Sequence, residues 1–339
     1  MRGRKVLTFA AALTIAASAW AQQNNSPTEN AGMRIKRGRT RTECKHPGIK
    51  RVRTYDITSQ EIPAAFDGYK MAFVTDTHYP SLFTDETLTS LDSVLKELHP
   101  DALLLGGDYQ EDCEHVEPLF KTIMECAPKD GAYAVLGNND LERCTDVIVS
   151  LMKDYNITLV EDTTTQIRRG RSHITVAGVR NTFQPRESHI SPTLNEPASD
   201  FIILLTHTPD YAEDQDITNA DITLAGHTHG GQVTLFGAWA PVTASHYGQR
   251  FLKGLNKNSA GQSVITSTGL GTSRHAVRFF APSEVVLLRL HSLQNPEDVS
   301  DSDEPSGEIE EEEPVKVDEV VTITEDEEQQ ETLNMPKKL

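Results

Sequence analysis

The chain has 339 residues, 37% of them hydrophobic, and carries 32 Lys and Arg against 50 Asp and Glu, a formal net charge of −18. That length fits one large catalytic domain or two ordinary ones, and the apolar content is that of a soluble globular protein. So acidic a balance argues against nucleic acid as the main partner, because a polyanion calls for cationic surface.

The chain opens on a leader. Arg2, Arg4 and Lys5 form a basic start, residues 6–19 are apolar, and Ala19-Trp20-Ala21 places small residues where a signal peptidase reads. Residues 1–21 are therefore expected to be a signal peptide cleaved after Ala21. The apolar run is shorter than the ~20 residues a bilayer core needs. The mature protein is expected to be exported to the periplasm or outside the cell, soluble or at most membrane-associated. Residues 22–51 are polar and basic and read as a mobile linker; over 22–54, Arg34, Lys36, Arg37, Arg39, Arg41, Lys45, Lys50, Arg51 and Arg53 face only Glu29 and Glu43. Such an arm could touch an anionic surface of membrane or cell wall, although a solvated face is the plainer reading.

Residues 52–292 read as one domain. Strands are expected over 52–57, 71–74, 102–105, 132–136, 157–160, 165–168, 173–177, 201–205, 222–225, 263–268 and 285–290, from short apolar or alternating runs. Helices are expected over 84–98, 117–126 and 141–155; the first repeats Leu88, Leu91, Val94, Leu95 and Leu98 at helical spacing and starts on Thr84 with Asp85 and Glu86. Pattern alone gives an α/β domain whose strands end in polar loops. Residues 293–339 carry a charge of −14, with acidic runs over 308–313 and 325–331, and read as a disordered tail in which only 315–324 alternates like a strand. Of the four cysteines, Cys44, Cys113, Cys126 and Cys144, Cys113 and Cys144 each follow a candidate ligand loop by a few residues. An exported chain permits disulfides, and sequence leaves three full pairings open.

Five strand ends carry metal-capable side chains: Asp76 and His78, Asp108, Asn138, His207, and His227 with His229. Loops at one edge of a sheet face a common crevice, so these groups converge. Oxygen donors mixed with four imidazoles suit borderline divalent ions such as manganese, zinc or iron. Asp76-Thr77-His78 or a lone Asp108 or Asn138 would each pass for turn residues. Gly226-His227-Thr228-His229 is harder to explain by packing.

With Asp76-Thr77-His78, Gly107-Asp108, Gly137-Asn138-Asn139-Asp140, Thr206-His207 and Gly226-His227-Thr228-His229 in this order, residues 55–290 resemble the calcineurin-like metallophosphoesterase superfamily. Ile62-Pro63, Phe66-Asp67-Gly68 and Gly269-Leu270-Gly271-Thr272-Ser273 are similar to its bacterial membrane- and wall-associated phosphodiesterase branch. The resemblance implies a four-layer αββα sandwich, two mixed sheets flanked by helices. It implies two divalent metal ions, one on Asp76, His78, Asp108 and His229, the other on Asp108, Asn138, His207 and His227, with Asp108 shared. It implies hydrolysis of a phosphate ester by water activated between the metals. The sequence departs from the family at Asn139, where a histidine usually protonates the leaving group. A general acid contributes ~10²–10⁴-fold, and its loss hurts least with a leaving group that is already acidic. A phosphodiester or pyrophosphate, lipid-linked or a nucleotide sugar, is therefore the expected substrate. Tyr79, His115, His246 and His275 are substitute donors, and Arg274 and Arg278 are candidate phosphate contacts. The alternative is a metal-binding pseudoenzyme that recruits a partner.

Overall fold

The computed structural model describes residues 28–30, 32–38, 46–180 and 190–294; the expectations for residues 1–21 and for the acidic tail beyond 294 lie outside these. Two mixed sheets stack face to face. The first runs, in spatial order, β1 (Thr28–Asn30), β2 (Met33–Arg37), β3 (Arg51–Ser59), β14 (Glu284–Ser292), β4 (Lys70–Val74), β5 (Ala102–Leu105), β6 (Ala132–Ala134) and β7 (Ile157–Leu159). The second runs β12 (Gly254–Lys257), β13 (Ser263–Thr266), β11 (Ile222–Ala225), β10 (Ile202–Leu205), β9 (Ser172–Gly178) and β8 (Thr163–Arg169). Strands β4, β5 and β6 pair in parallel, as do β9, β10, β11 and β13, so their C-terminal loops open on the same edge of each sheet.

Side-chain alternation builds the layers. Phe73, Leu104, Val286 and Leu288 of the first sheet meet Val176, Ile203, Leu205, Leu224 and Ile265 of the second in a buried central layer. On the first sheet's outer face, Val74, Leu103, Leu105 and Ala134 pack beneath α1 (Asp85–Leu98), α2 (Val116–Met124) and α4 (Thr145–Asp154), through residues such as Leu91, Leu95, Phe120, Ile148 and Met152. Both faces of these strands are covered, which is why their sequences are continuously apolar rather than alternating. The second sheet's outer face is covered by Tyr211 and Ala212 of the short α5 (Tyr211–Asp214) with Ile217 and Phe251. The expected sandwich is present, with a fourth layer made mostly of irregular chain. Among the described residues no helix is long and apolar enough to cross a membrane.

Three local features differ from expectation. Residues 33–37, read as part of a linker, form β2 and pair antiparallel with β3; Met33 and Ile35 turn inward and are buried while the flanking basic residues face out. The alternation was masked by the density of positive charge around two apolar residues. The helix expected over 141–155 is two, α3 (Asn138–Glu142) and α4, because Cys144 takes a left-handed conformation (φ 64°) and is bonded to Cys113. Strand β12 was not anticipated; Gly254-Leu255-Asn256-Lys257 is weakly apolar and is held as an edge strand by β13.

Candidate metal centre

The loops after β4, β5, β6, β10 and β11 bring the seven predicted ligands together. Six of them fall into two groups, Asp76, His78 and His229, and Asp108, His207 and His227, each with ligand atoms within 4.8 Å of one another; the seventh, Asn138, lines the same cleft as Asp108, His227 and His229. Asp108 ties the groups: its Oδ2 lies 3.3 Å from His78 Nε2 and 3.3 Å from His207 Nε2. In the first group His229 Nε2 is 3.3 Å from Asp76 Oδ1; in the second His227 Nδ1 is 3.2 Å from His207 Nε2. Asp76, His78 and His207 are fully buried, and Asp108 nearly so.

The backbone is bent to make this possible. Asp76, His78, Asp108, His227 and His229 all adopt positive φ, between 42° and 67°. Such conformations cost on the order of 1 kcal/mol or more each and persist where the surroundings enforce them. Two glycines leave room for the carboxylates. A Cβ on Gly137 would stand 2.1 Å from Asp108 Oδ1, and one on Gly226 would stand 2.2 Å from Asp76 Oδ2.

A surrounding set of hydrogen bonds fixes each ligand. His207 Nδ1 lies 2.7 Å from the Gly106 carbonyl, which makes that nitrogen a donor and turns Nε2 toward Asp108. His78 Nδ1 lies 2.7 Å from Glu111 and 3.0 Å from Asn139 Nδ2, which again points Nε2 inward. Asp76 accepts the His227 amide on both oxygens, at 3.0 Å each, and the Thr75 hydroxyl at 2.8 Å. Asp140 accepts three amides, those of Asp108 (2.7 Å), Gly137 (2.8 Å) and Tyr109 (3.0 Å), and so locks the β5 and β6 loops together. The Cys113–Cys144 disulfide joins the same two loops. Glu111, Asp140 and Gly106 escaped sequence reasoning. Only the acid closing Gly137-Asn138-Asn139-Asp140 gave a signal, and it did not say which amides it would hold.

The electrostatics are those of a cation site. Burial pulls His78 and His207 down, but Asp108 with Glu111 raises His78 to about 10, and Asp108 raises His207 to about 9. Burial and neighbouring imidazoles push His227 down to about 3 and His229 well below the ordinary histidine value. Burial raises Asp76, with Asp108 adding to the rise, whereas the facing histidines overcome burial and hold Asp108 well below the carboxylate range. Two atoms of the predicted ligands, His78 Nε2 and Asn138 Oδ1, are buried with no hydrogen-bond partner. Both are good ligand atoms, and with the two groups they make a donor set that fits two divalent ions.

The centre lies at the floor of a cleft of about 1100 Å³. Of the substitute proton donors, His246 and His275 line this cleft; Tyr79 instead donates to Asp85 and is buried, and His115 pairs with Asp112. Arg274 lines the cleft and is exposed. Arg278 is corrected from substrate contact to strut: its guanidinium donates to the carbonyls of Gly271, Thr268, His229 and Ala281, which clamps the loop carrying His229. An arginine after a glycine-rich loop reads the same whether it serves backbone or ligand.

Known proteins are similar to this chain. The metallophosphoesterase YkuE of Bacillus subtilis (strain 168) is 27% identical over 244 residues, 70% of this chain and 84% of that protein. The phosphodiesterase YaeI of Escherichia coli (strain K12) is 28% identical over 233 residues, 66% and 82% of the two chains. A Helicobacter pylori (strain ATCC 700392 / 26695) metallophosphoesterase is 26% identical over 228 residues, which span 59% of its length. Among solved structures, TT1561 of Thermus thermophilus aligns with a TM-score of 0.38 at 14% identity, over 60% of this chain and 90% of that one. Residues 69–231, which contain all seven ligands, match the family described as calcineurin-like phosphoesterase. The match places residues 69–231 in the calcineurin-like phosphoesterase family.

Proposed function

We propose that the protein is an exported phosphoesterase that uses two metal ions to hydrolyse a phosphodiester or pyrophosphate. The observation that carries this reading is the Asp108 carboxylate, with His78 of one three-residue group and His207 of the other each 3.3 Å from the same oxygen. Like charges brought close need a common anion between them, and Asp108 is held ionised for that role. Asp76, His78, Asp108 and His229 would hold one ion, and Asp108, Asn138, His207 and His227 the other. A bound metal pair supplies Lewis acidity and an activated water.

The remaining chemistry belongs to the side chains. Glu111 and the Gly106 carbonyl orient His78 and His207, so neither can turn its ligand nitrogen away. Asn139 occupies the usual acid position, but its side chain lies 3.0 Å from His78 Nδ1 and its backbone amide donates to Asp108 Oδ1 (2.9 Å). It therefore positions ligands and supplies no proton. A leaving group that departs as a stable anion needs none, which favours diesters with acidic leaving groups and pyrophosphates. His246 and His275 stand on the cleft wall within the space a leaving group would enter. Export is supported by the leader and by the Cys113–Cys144 disulfide, a bond that persists in oxidising compartments.

The test is turnover of bis-p-nitrophenyl phosphate, p-nitrophenyl phosphate and a nucleotide-sugar pyrophosphate with manganese, zinc or iron, beside the Asp108→Ala variant. Diester or pyrophosphate turnover that needs metal and is lost in the variant is the expected result. A wild type inert on every substrate and metal would leave a metal-binding partner-recruiting module instead, the reading that Asn139 favours.

A further inference from the structure

Exposed large hydrophobic side chains gather on two neighbouring loops at the rim of the cleft. Leu235, Phe236, Trp239 and Val242 come from one loop, Phe279 and Phe280 from the other. The loops are stitched into a platform. Thr234 donates its amide to the Phe279 carbonyl (2.9 Å), Phe279 to Gln232 (2.7 Å) and Leu235 to Trp239 (2.7 Å). The Phe280 ring packs 4.5 Å from Phe279 and 6.1 Å from Phe236. Phe236 and Val242 are nevertheless 70% exposed and Trp239 51%. These side chains protrude; they do not line a groove shaped for a small apolar ligand. Val233, Val242 and Val277 belong to the cleft wall as well, so the platform runs without interruption into the opening above the metal centre.

Charge is arranged around the platform in a particular way. Residues 230–245 contain no Asp, Glu, Lys or Arg, in a chain whose net charge is −18. At its base the Lys253 ammonium donates to the Gly237 carbonyl. Arg274, exposed on the loop that carries Phe279 and Phe280, adds a second cation beside the platform. Protruding aromatic and aliphatic side chains bordered by Lys253 and Arg274 suit one kind of surface. A bilayer rewards inserted apolar area and, separately, attracts basic groups to anionic headgroups. A protein partner would be expected to meet an apolar centre ringed by polar side chains.

We infer that this platform seats the protein on an anionic lipid bilayer, so that the cleft opens onto the headgroup layer and its substrate is a phosphate ester presented there. The substrate clause rests on the phosphoesterase reading; the docking surface does not.

The chain carries its own probe. Its two tryptophans are Trp20 and Trp239, so a chain beginning at Gln22 keeps every described residue and reports from Trp239 alone. The metal-loaded chain is mixed with phosphatidylcholine vesicles containing phosphatidylglycerol, and again after chelation. Trp239 emission should move to the blue and be quenched by brominated acyl chains, with or without metal. Phe236→Ser combined with Phe280→Ser should weaken vesicle binding roughly tenfold or more, at an unchanged melting temperature and unchanged turnover of a soluble diester. Vesicles of phosphatidylcholine alone should bind clearly less well. No emission shift, equal binding by the double variant, or equal binding to uncharged vesicles overturns the inference. So does a wild-type dimer that ignores vesicles and dissociates in the double variant, which would assign the platform to a second copy. Vesicle binding without any diester turnover would instead count against the phosphoesterase reading and leave the platform standing.

Discussion

Glu284→Gln tests how the fold holds the metal centre from behind. Glu284 is fully buried at the start of β14, where its Oε2 accepts Arg51 Nε at 2.5 Å and Arg53 Nε at 2.8 Å. Its Oε1 accepts the Thr268 amide at 3.0 Å, and its own amide donates to the Gly269 carbonyl. The same turn gives Leu270 and Gly271 amides to the Asp76 carbonyl, so Glu284 fastens the loop that backs Asp76. Burial alone would raise the carboxyl, but Arg53 and Arg51 outweigh it and hold it down to about 2, against an ordinary 4.5. A depressed acid contributes stability that is full above its unfolded value and lost as pH falls through its folded one. The difference is worth about 3 kcal/mol at pH 7, of which roughly 1.4 kcal/mol has gone by pH 3.5. Breaking a buried pair by removing one charge costs a similar ~3–5 kcal/mol. Urea unfolding of metal-free wild type and Glu284→Gln at pH 7 and pH 3.5 measures both quantities. The variant should be about 3 kcal/mol less stable at pH 7, and the gap should narrow in acid. A gap under ~1 kcal/mol at pH 7, or one that does not shrink, refutes the reasoning.

Glu111→Gln should leave the fold intact and weaken metal binding by roughly 10- to 100-fold, since the carboxylate orients His78; calorimetric titration with zinc reads this, and unchanged affinity would remove Glu111 from the site. Asn139→His should restore a leaving-group donor and raise alkyl monoester turnover by ~10-fold or more relative to bis-p-nitrophenyl phosphate; an equal change on both substrates would show that proton donation does not govern the preference. Replacing Cys113 and Cys144 by serine opens a link of sequence separation 31 and should cost about 2–4 kcal/mol, read as a loss in urea midpoint that a reductant reproduces in the wild type.

The candidate metal ligands were legible because each ends an apolar strand, and strand ends on one sheet edge have nowhere to go but a shared crevice. Their supports were not. Asp140 had a place in a motif, yet its three amide partners lie on two different loops and exist only once β5 and β6 are side by side. Glu284 is separated from Arg51 by 233 residues, and nothing in either segment announces the pair. Arg278 had the right charge and loop for phosphate, but its donors are spent on four backbone carbonyls. The exposed platform was hidden for the opposite reason: Leu235, Phe236 and Trp239 read as ordinary apolar residues until the fold left them outside. Strand β2 shows how sparse a sufficient signal can be, with two inward residues, Met33 and Ile35, outweighed in the sequence by their charged neighbours.

Metal content is the most direct measurement. Elemental analysis of reconstituted protein should find two ions per chain, and His229→Ala and His207→Ala should each retain one, because each variant dismantles one three-residue group while leaving the other with Asp108. A wild type that holds a single ion, or single variants that both keep two, would contradict a binuclear centre built on a shared aspartate.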